Sequence, residues 1–245
     1  MAAPSVLMDR VAEVTGMNRS TIENIYDGLR KTGEIPKGVR GRYGVQVTTQ
    51  MAARLLIAMC GSEHVKDASD AVRRYSGLST THVQLFDSAD RLPSAVSNRL
   101  PFAVEGMPIP IANDSWTKAS RGFPRLGKLP SGHSFVEALE ALIESYIDAD
   151  SPDAIVKISL QGPYPWAGVK ISLHQEETKR TSSVLISYND EGDETGPGEL
   201  AEIDLTKARQ RRRFVELGRD MQITSTISQN TLKALGELLR EDTAT

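Results

Sequence analysis

The chain has 245 residues, enough for two domains, and its 39% hydrophobic and 25% charged residues are ordinary for a globular protein. The formal net charge of −3 argues against a protein that coats nucleic acid over its whole surface. The charge is uneven, because residues 1–79 hold 11 basic and 8 acidic residues, net +3, whereas residues 80–245 hold 18 and 24, net −6. A basic region on an acidic body is typical of a protein that binds nucleic acid at one surface.

The cysteine content and the lack of long apolar runs bear on where the protein works. The single cysteine, Cys60, cannot form an internal disulfide, and we expect a small buried side chain there. The start of the chain shows no basic segment followed by an apolar core, and no apolar run approaches the roughly 18 residues that span a bilayer. These features predict a cytoplasmic protein without membrane contact.

Residues 11–30 predict two short helices joined by a tight turn. Gly16 ends the first helix and permits the positive φ of the turn, and the second helix begins at Arg19. The side chains expected between the helices are Val11, Ala12, Val14, Met17, Ile22 and Ile25, and those expected to point outward are Asn18, Arg19, Ser20, Thr21, Glu23 and Asn24. Such an outward surface can enter a major groove, where Asn24 suits adenine and Arg19 suits guanine.

Residues 31–50 predict a basic hairpin followed by a third helix. Gly33 stops the second helix, and Ile35 with the alternating Val45 and Val47 predicts two short strands. The cationic and aromatic residues here are Lys31, Lys37, Arg40, Arg42 and Tyr43, and the tip is rich in glycine, which lets its backbone approach phosphates. Thr48 and Thr49 then cap an apolar, buried helix.

This order of elements resembles a known family of DNA-binding domains. A helix, a glycine turn, a second helix, the residues GEIP, a basic loop and a Thr-capped helix are similar to the winged helix-turn-helix of MerR-type regulators, phage excisionases and phage terminase small subunits. The resemblance covers residues 5–60 and implies DNA binding. It does not extend to the long dimerisation helix of MerR-type proteins, nor to the aromatic and basic residues that they carry near positions 24–26.

Beyond this region, the sequence predicts one more helix and then a long irregular stretch. Residues 62–78 read as an amphipathic helix capped by Ser62 and ended by Gly77, which closes a first domain at residue 79. Residues 80–132 are interrupted by prolines and predict an irregular connector.

Residues 133–245 predict a second, α+β domain for assembly or sensing. Its expected elements are a helix over 135–147, strands over 154–161, 167–175 and 182–190, a charged loop over 191–199, one or two strands before residue 228, and a closing helix over 229–240. The fold class is therefore α+β, with an N-terminal, mostly helical winged helix-turn-helix domain and a C-terminal antiparallel sheet with helices on one face.

Nothing in the sequence has the spacing of a catalytic or metal site. The four histidines share no ligand spacing, one cysteine cannot build a zinc finger, and no phosphate-binding glycine loop or nucleophile elbow is present. We therefore expect no enzyme, no metal and no cofactor.

The favoured interpretation is a sequence-specific binder of double-stranded DNA, of the type of a phage or prophage transcriptional regulator, acting as a homo-oligomer. One alternative is a DNA-packaging factor like a terminase small subunit, or a recombination accessory factor. Another is a protein-interaction module that does not touch DNA. In each case the C-terminal domain is the predicted site of self-association or of a protein partner.

Overall fold

The described residues form a five-stranded antiparallel sheet with helices against one face. The computed structural model describes residues 3–37, 45–87, 123–130, 132–148, 154–162, 165–175, 180–189 and 223–243. The helices are α1 (Pro4–Thr15), α2 (Arg19–Thr32), α3 (Thr49–Gly61), α4 (Ala68–Ser76), α5 (Pro124–Gly127), α6 (Phe135–Ile147) and α7 (Gln229–Thr243), with a 3-10 turn at Val65–Asp67. The strands are β1 (Ser79–Asp87), β2 (Ala154–Gly162), β3 (Trp166–Gln175), β4 (Arg180–Asn189) and β5 (Ile223–Ser228), in the spatial order β1-β4-β3-β2-β5. The predicted α+β class, with an antiparallel sheet after the N-terminal helices, is confirmed.

The helix ends follow from local capping, and the sequence signals at Gly16, Gly33 and Thr48 are confirmed. Gly16 and Gly33 have φ of 69° and 85°, so each ends its helix in the left-handed conformation that glycine adopts without strain. Thr48 caps α3 by accepting a hydrogen bond from the N–H of Met51. Ser134 and Glu137 form a reciprocal capping box at the start of α6.

One face of the sheet is apolar and packs against the helices. Alternate residues of β2 (Ala154, Val156, Ile158 and Leu160) are buried, whereas Ile155 between them is 64% exposed. The register places Ile158 beside Val169 of β3 and Val169 beside Ile186 of β4, so the apolar row continues across strands. α3 and α7 contact β2 and β5, and α6 packs on both helices. This alternation is what a sheet with one covered face requires.

The N-terminal helices and the sheet share one continuous hydrophobic core. Tyr75 of α4 is buried, and its hydroxyl donates a hydrogen bond to the carbonyl oxygen of Gln161 on β2 at 2.5 Å. α1 packs on α7, and α3 packs on α6. The division into residues 1–79 and 133–245 as independently folding domains stays a prediction. A test of it has to show whether each part folds without the core contacts that it shares with the other.

A buried histidine fastens the start of α6 to the sheet. His133 is 3% exposed, and its Nδ1 lies 2.9 Å from the carbonyl oxygen of Pro130, which can only accept. Nδ1 therefore carries the proton, and Nε2 accepts from the hydroxyl of Tyr188 at 3.0 Å. Burial lowers the pKa of His133, which is consistent with a neutral imidazole in the folded protein.

Two expectations for the middle of the chain are wrong in detail. Within the connector predicted over residues 80–132, residues 80–87 belong to the edge strand β1, which pairs with β4 from Ser79↔Asn189 to Asp87↔Ser182, and residues 124–127 form the short helix α5. A partner strand about a hundred residues away supplies those hydrogen bonds, so no local pattern announces them. The helix predicted from residue 62 begins at Ala68, because Ser62 bonds back to the carbonyl oxygen of Ala58 and ends α3 instead. Residues 88–122 lie outside the described part.

The hairpin strands predicted after α2 are also not found in the described residues. Ile35 and Val47 belong to no strand, and both are buried in the helical core instead. Apolar side chains next to a glycine-rich loop satisfy the sequence pattern of a hairpin whether or not their backbones pair. The tip, residues 38–44, lies outside the described residues, as does the charged loop 191–199.

Candidate nucleic-acid interface

α1 and α2 meet at a corner with an apolar inner surface. The N–H of Gly16 donates to the carbonyl oxygen of Ala12 at 2.9 Å, which closes the turn. The inward positions expected from the sequence are confirmed for Val11, Ile22 and Ile25, which are buried, and Met17 packs on the same core while partly exposed. The outer surface of α2 is thereby held at a fixed angle to α1.

Tyr26 belongs to the inner surface of this corner. It is buried, and burial raises the pKa of its phenol, with Arg30 opposing the shift. A neutral, buried phenol beside Ile25 acts as core, so it does not supply the aromatic contact that MerR-type proteins place near this position.

Arg19, predicted to read guanine, is held by the protein itself. Its Nε lies 2.5 Å from Oδ1 of Asp9 on α1, and its guanidinium lies 3.5 Å from a carboxylate oxygen of Glu23. The side chain is 30% exposed. A base contact by Arg19 therefore requires the Asp9 ion pair to open, and the assignment stays a prediction. Asp9 was missed at the sequence level because it lies on another helix, at no helical spacing from Arg19.

The residues at the start of α2 mainly support the helix end. Asn18 is the N-cap, and its Oδ1 accepts from the backbone N–H of Ser20 at 2.9 Å and from the Ser20 hydroxyl at 2.8 Å. Thr21 is partly buried. Capping of this kind contributes about 1 kcal/mol to helix stability. Asn18 and Ser20, both predicted to contact DNA, are thus hydrogen-bonded to each other at the start of α2.

Two predicted residues on α2 remain exposed and have no hydrogen bond or ion pair among the described residues. They are Asn24 and Lys31, seven residues apart on one helical face, with Gly28 between them. A Cβ placed on Gly28 would meet no atom within 4 Å, so this face is open. Two turns of α2 can therefore be approached closely by a ligand backbone.

Charges next to this face decide how well it suits DNA. Glu23 and Asp27 are both exposed, and Asp27 lies 3.4 Å from the guanidinium of Arg30. The acidic Glu34, just beyond α2, is drawn inward: its side chain is 17% exposed and lies 2.8 Å from Arg73 and 3.9 Å from Arg54. Because Arg54 and Arg73 pair with Glu34, its negative charge is directed away from the cations at the end of α2 and in the following segment.

Arg54 and Arg73 are ion-pair partners of Glu34, which the sequence did not indicate. The hydrogen bond from Arg73 to Glu34 joins residues 39 positions apart in the sequence. Of the basic segment itself, Lys37 is exposed, and Arg40, Arg42 and Tyr43 lie outside the described residues. The structure therefore places Asn24 and Lys31 on one open helical face and Lys37 shortly after it.

Two observations on the described residues concern metal ligands and the cysteine. Across the described ranges no three His, Cys, Asp or Glu side chains gather into a metal-binding group, and none of the helices there is both long and apolar enough to cross a membrane. Burial raises the pKa of Cys60 to about 12, so this thiol is a poor nucleophile.

No protein-family model, no curated protein and no solved structure matches this chain. The residues and their geometry are therefore the basis on which its function can be proposed.

Proposed function

We propose that this protein binds double-stranded DNA sequence-specifically, in the manner of a winged helix-turn-helix regulator of phage or prophage type. α2 enters the major groove with its open face, and the basic segment from Lys37 to Arg42 contacts phosphates beside it. The single observation that supports this most is the open polar face of α2, on a helix that Asn18 caps and that α1 holds at a fixed angle. Self-association doubles the contacted site, since one such unit contacts few base pairs.

Two single substitutions on α2 test the proposal. Asn24→Ala removes a base contact, so binding to the selected site weakens by about 1–3 kcal/mol while binding to random duplex is unchanged. Lys31→Gln removes a phosphate contact, so both kinds of duplex bind more weakly by a similar factor. Fluorescence anisotropy with a labelled duplex measures both, and Lys233→Gln on the exposed side of α7 is the matched control. Wild-type affinity in both α2 variants, with the fold intact, contradicts the proposal.

The basic segment is tested separately by changing Lys37, Arg40 and Arg42 together to glutamine. Removing one phosphate-binding cation lowers the slope of log K against log salt by about 0.9, with little effect on sequence preference. An unchanged slope removes this segment from the interface.

One observation favours the protein-interaction alternative. The first two turns of α2 expose Glu23 and Asp27, while the one cation there, Arg19, is paired with Asp9. A surface with this charge repels phosphates and suits a basic protein partner. Under that alternative no duplex binds with a measurable salt dependence, and the substitutions above leave DNA behaviour unaltered.

A further inference from the structure

The face of the sheet turned away from the helices carries two lysines side by side. Lys157 of β2 is directly opposite Lys170 of β3, and both are exposed. Several neighbours on this outer sheet face are small and hydroxylated: Ser228 pairs with Lys157, Thr226 pairs with Ser159, and the hydroxyls of Ser172 and Ser183 lie 2.8 Å apart. Lys170 also pairs with Leu185 of β4, and Leu185 and Trp166 on this face are both buried, so the exposed part of the face is the part around the two lysines. None of the outward positions described on β2, β3, β4 and β5 is an aspartate or a glutamate.

The pairing of these two lysines is by itself unfavourable for the sheet. Like charges directly opposite each other on neighbouring strands repel and destabilise a sheet. With no acid among the described residues of this face, no described side chain there offsets the repulsion. An anion bound between the two ammonium groups relieves it, so the surface is complementary in charge to an anionic ligand.

The surroundings of the lysines favour a sugar–phosphate backbone over an acidic peptide. Lysine and hydroxyl side chains are common contacts of phosphate and sugar oxygens. An extended peptide binds by adding a strand at a sheet edge, and a protein surface brings aromatic or aliphatic anchors that need pockets. On this face of the described sheet only Ile155 is a large exposed hydrophobic residue, and the lysines lie on inner strands, β2 and β3, away from both edges.

We infer that the outer sheet face binds the backbone of a second segment of double-stranded DNA, without reading its sequence. α3 contacts α2 as well as β2 and β5, and it is buried on nearly every side, so it lies between the two surfaces. One duplex on α2 and another on the sheet are then held by the same molecule. The inference rests on the proposed function for its ligand class, but its surface shares no residue with α2.

The test uses the full chain with Lys157 and Lys170 both changed to glutamine, and a control with Lys128 and Lys233, two exposed lysines elsewhere, changed in the same way. A random-sequence duplex is titrated by anisotropy over a range of salt. The slope of log K against log salt falls by about 1.8 in the Lys157/Lys170 variant, about 0.9 for each phosphate-binding lysine, and stays unchanged in the control. Thermal unfolding of the variant occurs at the same or a higher temperature than wild type, since the repulsion is gone.

A bridging assay measures the second segment directly. A biotinylated duplex on beads, carrying protein, retains a second, fluorescent duplex; the Lys157/Lys170 variant loses this retention, while Asn24→Ala weakens only the site-specific duplex. The inference is overturned if the variant has an unchanged salt slope or unchanged retention of the second duplex. It is also overturned if the variant unfolds at a lower temperature than wild type, because the lysines then have a stabilising partner within the protein. Displacement of the duplex by polyglutamate at equal charge concentration also overturns it, in favour of an acidic protein. If α2 variants abolish binding while the Lys157/Lys170 variant matches wild type, the inference fails and the proposed function stands; if wild type binds no duplex, both fail.

Discussion

Substitution of Gly236 by alanine tests a close contact between helices α6 and α7. A Cβ at Gly236 of α7 would lie 2.5 Å from Cβ of Tyr146, 2.9 Å from the Tyr146 carbonyl carbon and 3.1 Å from the carbonyl oxygen of Ile143. Two of these atoms belong to the backbone of α6, so no side-chain rotation relieves the contact. The helices have to separate, and overpacking of this kind costs about 1–3 kcal/mol.

The control for this substitution is Gly28→Ala on α2, where no atom lies within 4 Å of the added methyl group. Both glycines are inside helices, so both replacements gain about 0.8–1.0 kcal/mol of helix propensity. Gly28→Ala is therefore expected to stabilise the protein by about 1 kcal/mol. The difference between the two variants isolates the packing penalty, about 1–3 kcal/mol.

Urea unfolding followed by far-UV circular dichroism measures both variants, with the m-value as a check that the unfolding reaction is unchanged. The expected order of midpoints is Gly28→Ala highest, then wild type, then Gly236→Ala. Equal midpoints for the two alanine variants refute the reasoning, because α6 and α7 then do not cross at Gly236.

Three further predictions concern the joint between the helices and the sheet. Tyr75→Phe is expected to lower the free energy of unfolding by about 0.5–1.5 kcal/mol, because the carbonyl of Gln161 loses its hydrogen-bond donor. Tyr146→Phe removes a buried hydroxyl that has no hydrogen-bond partner among the described residues, so it is expected to leave the free energy of unfolding unchanged or to raise it. Burial lowers the pKa of His133 in the folded state. The stabilisation of the folded protein by the neutral His133 side chain is therefore fully present above the unfolded pKa of about 6.5, and it is lost as the pH falls through the folded pKa. Unfolding free energies at pH 7.5 and 5.5 are then expected to differ more in wild type than in His133→Asn, and equal differences contradict the assignment. The two-domain division predicts that the fragment 133–245 folds by itself, whereas the loss of β1 and of the α1 and α3 packing predicts that it lacks a cooperative transition. A folded fragment supports the division, and its mass in solution then tests self-association; a fragment without a cooperative transition contradicts it.

The helices and the inner strands could be predicted from the sequence because their signals are local. The Ser134–Glu137 capping box, the left-handed glycines and the alternation in β2 each lie within a few residues of the structure that they specify. Strand β1 could not be predicted in this way, because its hydrogen bonds go to β4, and a single strand beside a proline-rich segment has no recognisable pattern of its own.

The candidate interface shows the same limit. The outward direction of Asn24 and Lys31 follows from helical periodicity once α2 is recognised. The ion pairs of Arg19 with Asp9 and of Glu34 with Arg73 depend on how separate helices meet, and they change which charges are available to a ligand. The Lys157–Lys170 pair requires the strand register, which alternation alone does not give.

The most direct test of DNA binding through α2 is selection of bound sites from a random duplex library by the full chain, repeated with Asn24→Ala. We expect wild type to enrich one short common sequence, and Asn24→Ala to relax the preference at a position within it. A library that shows no enriched sequence for wild type, or the same preference at every position for the variant, contradicts the account.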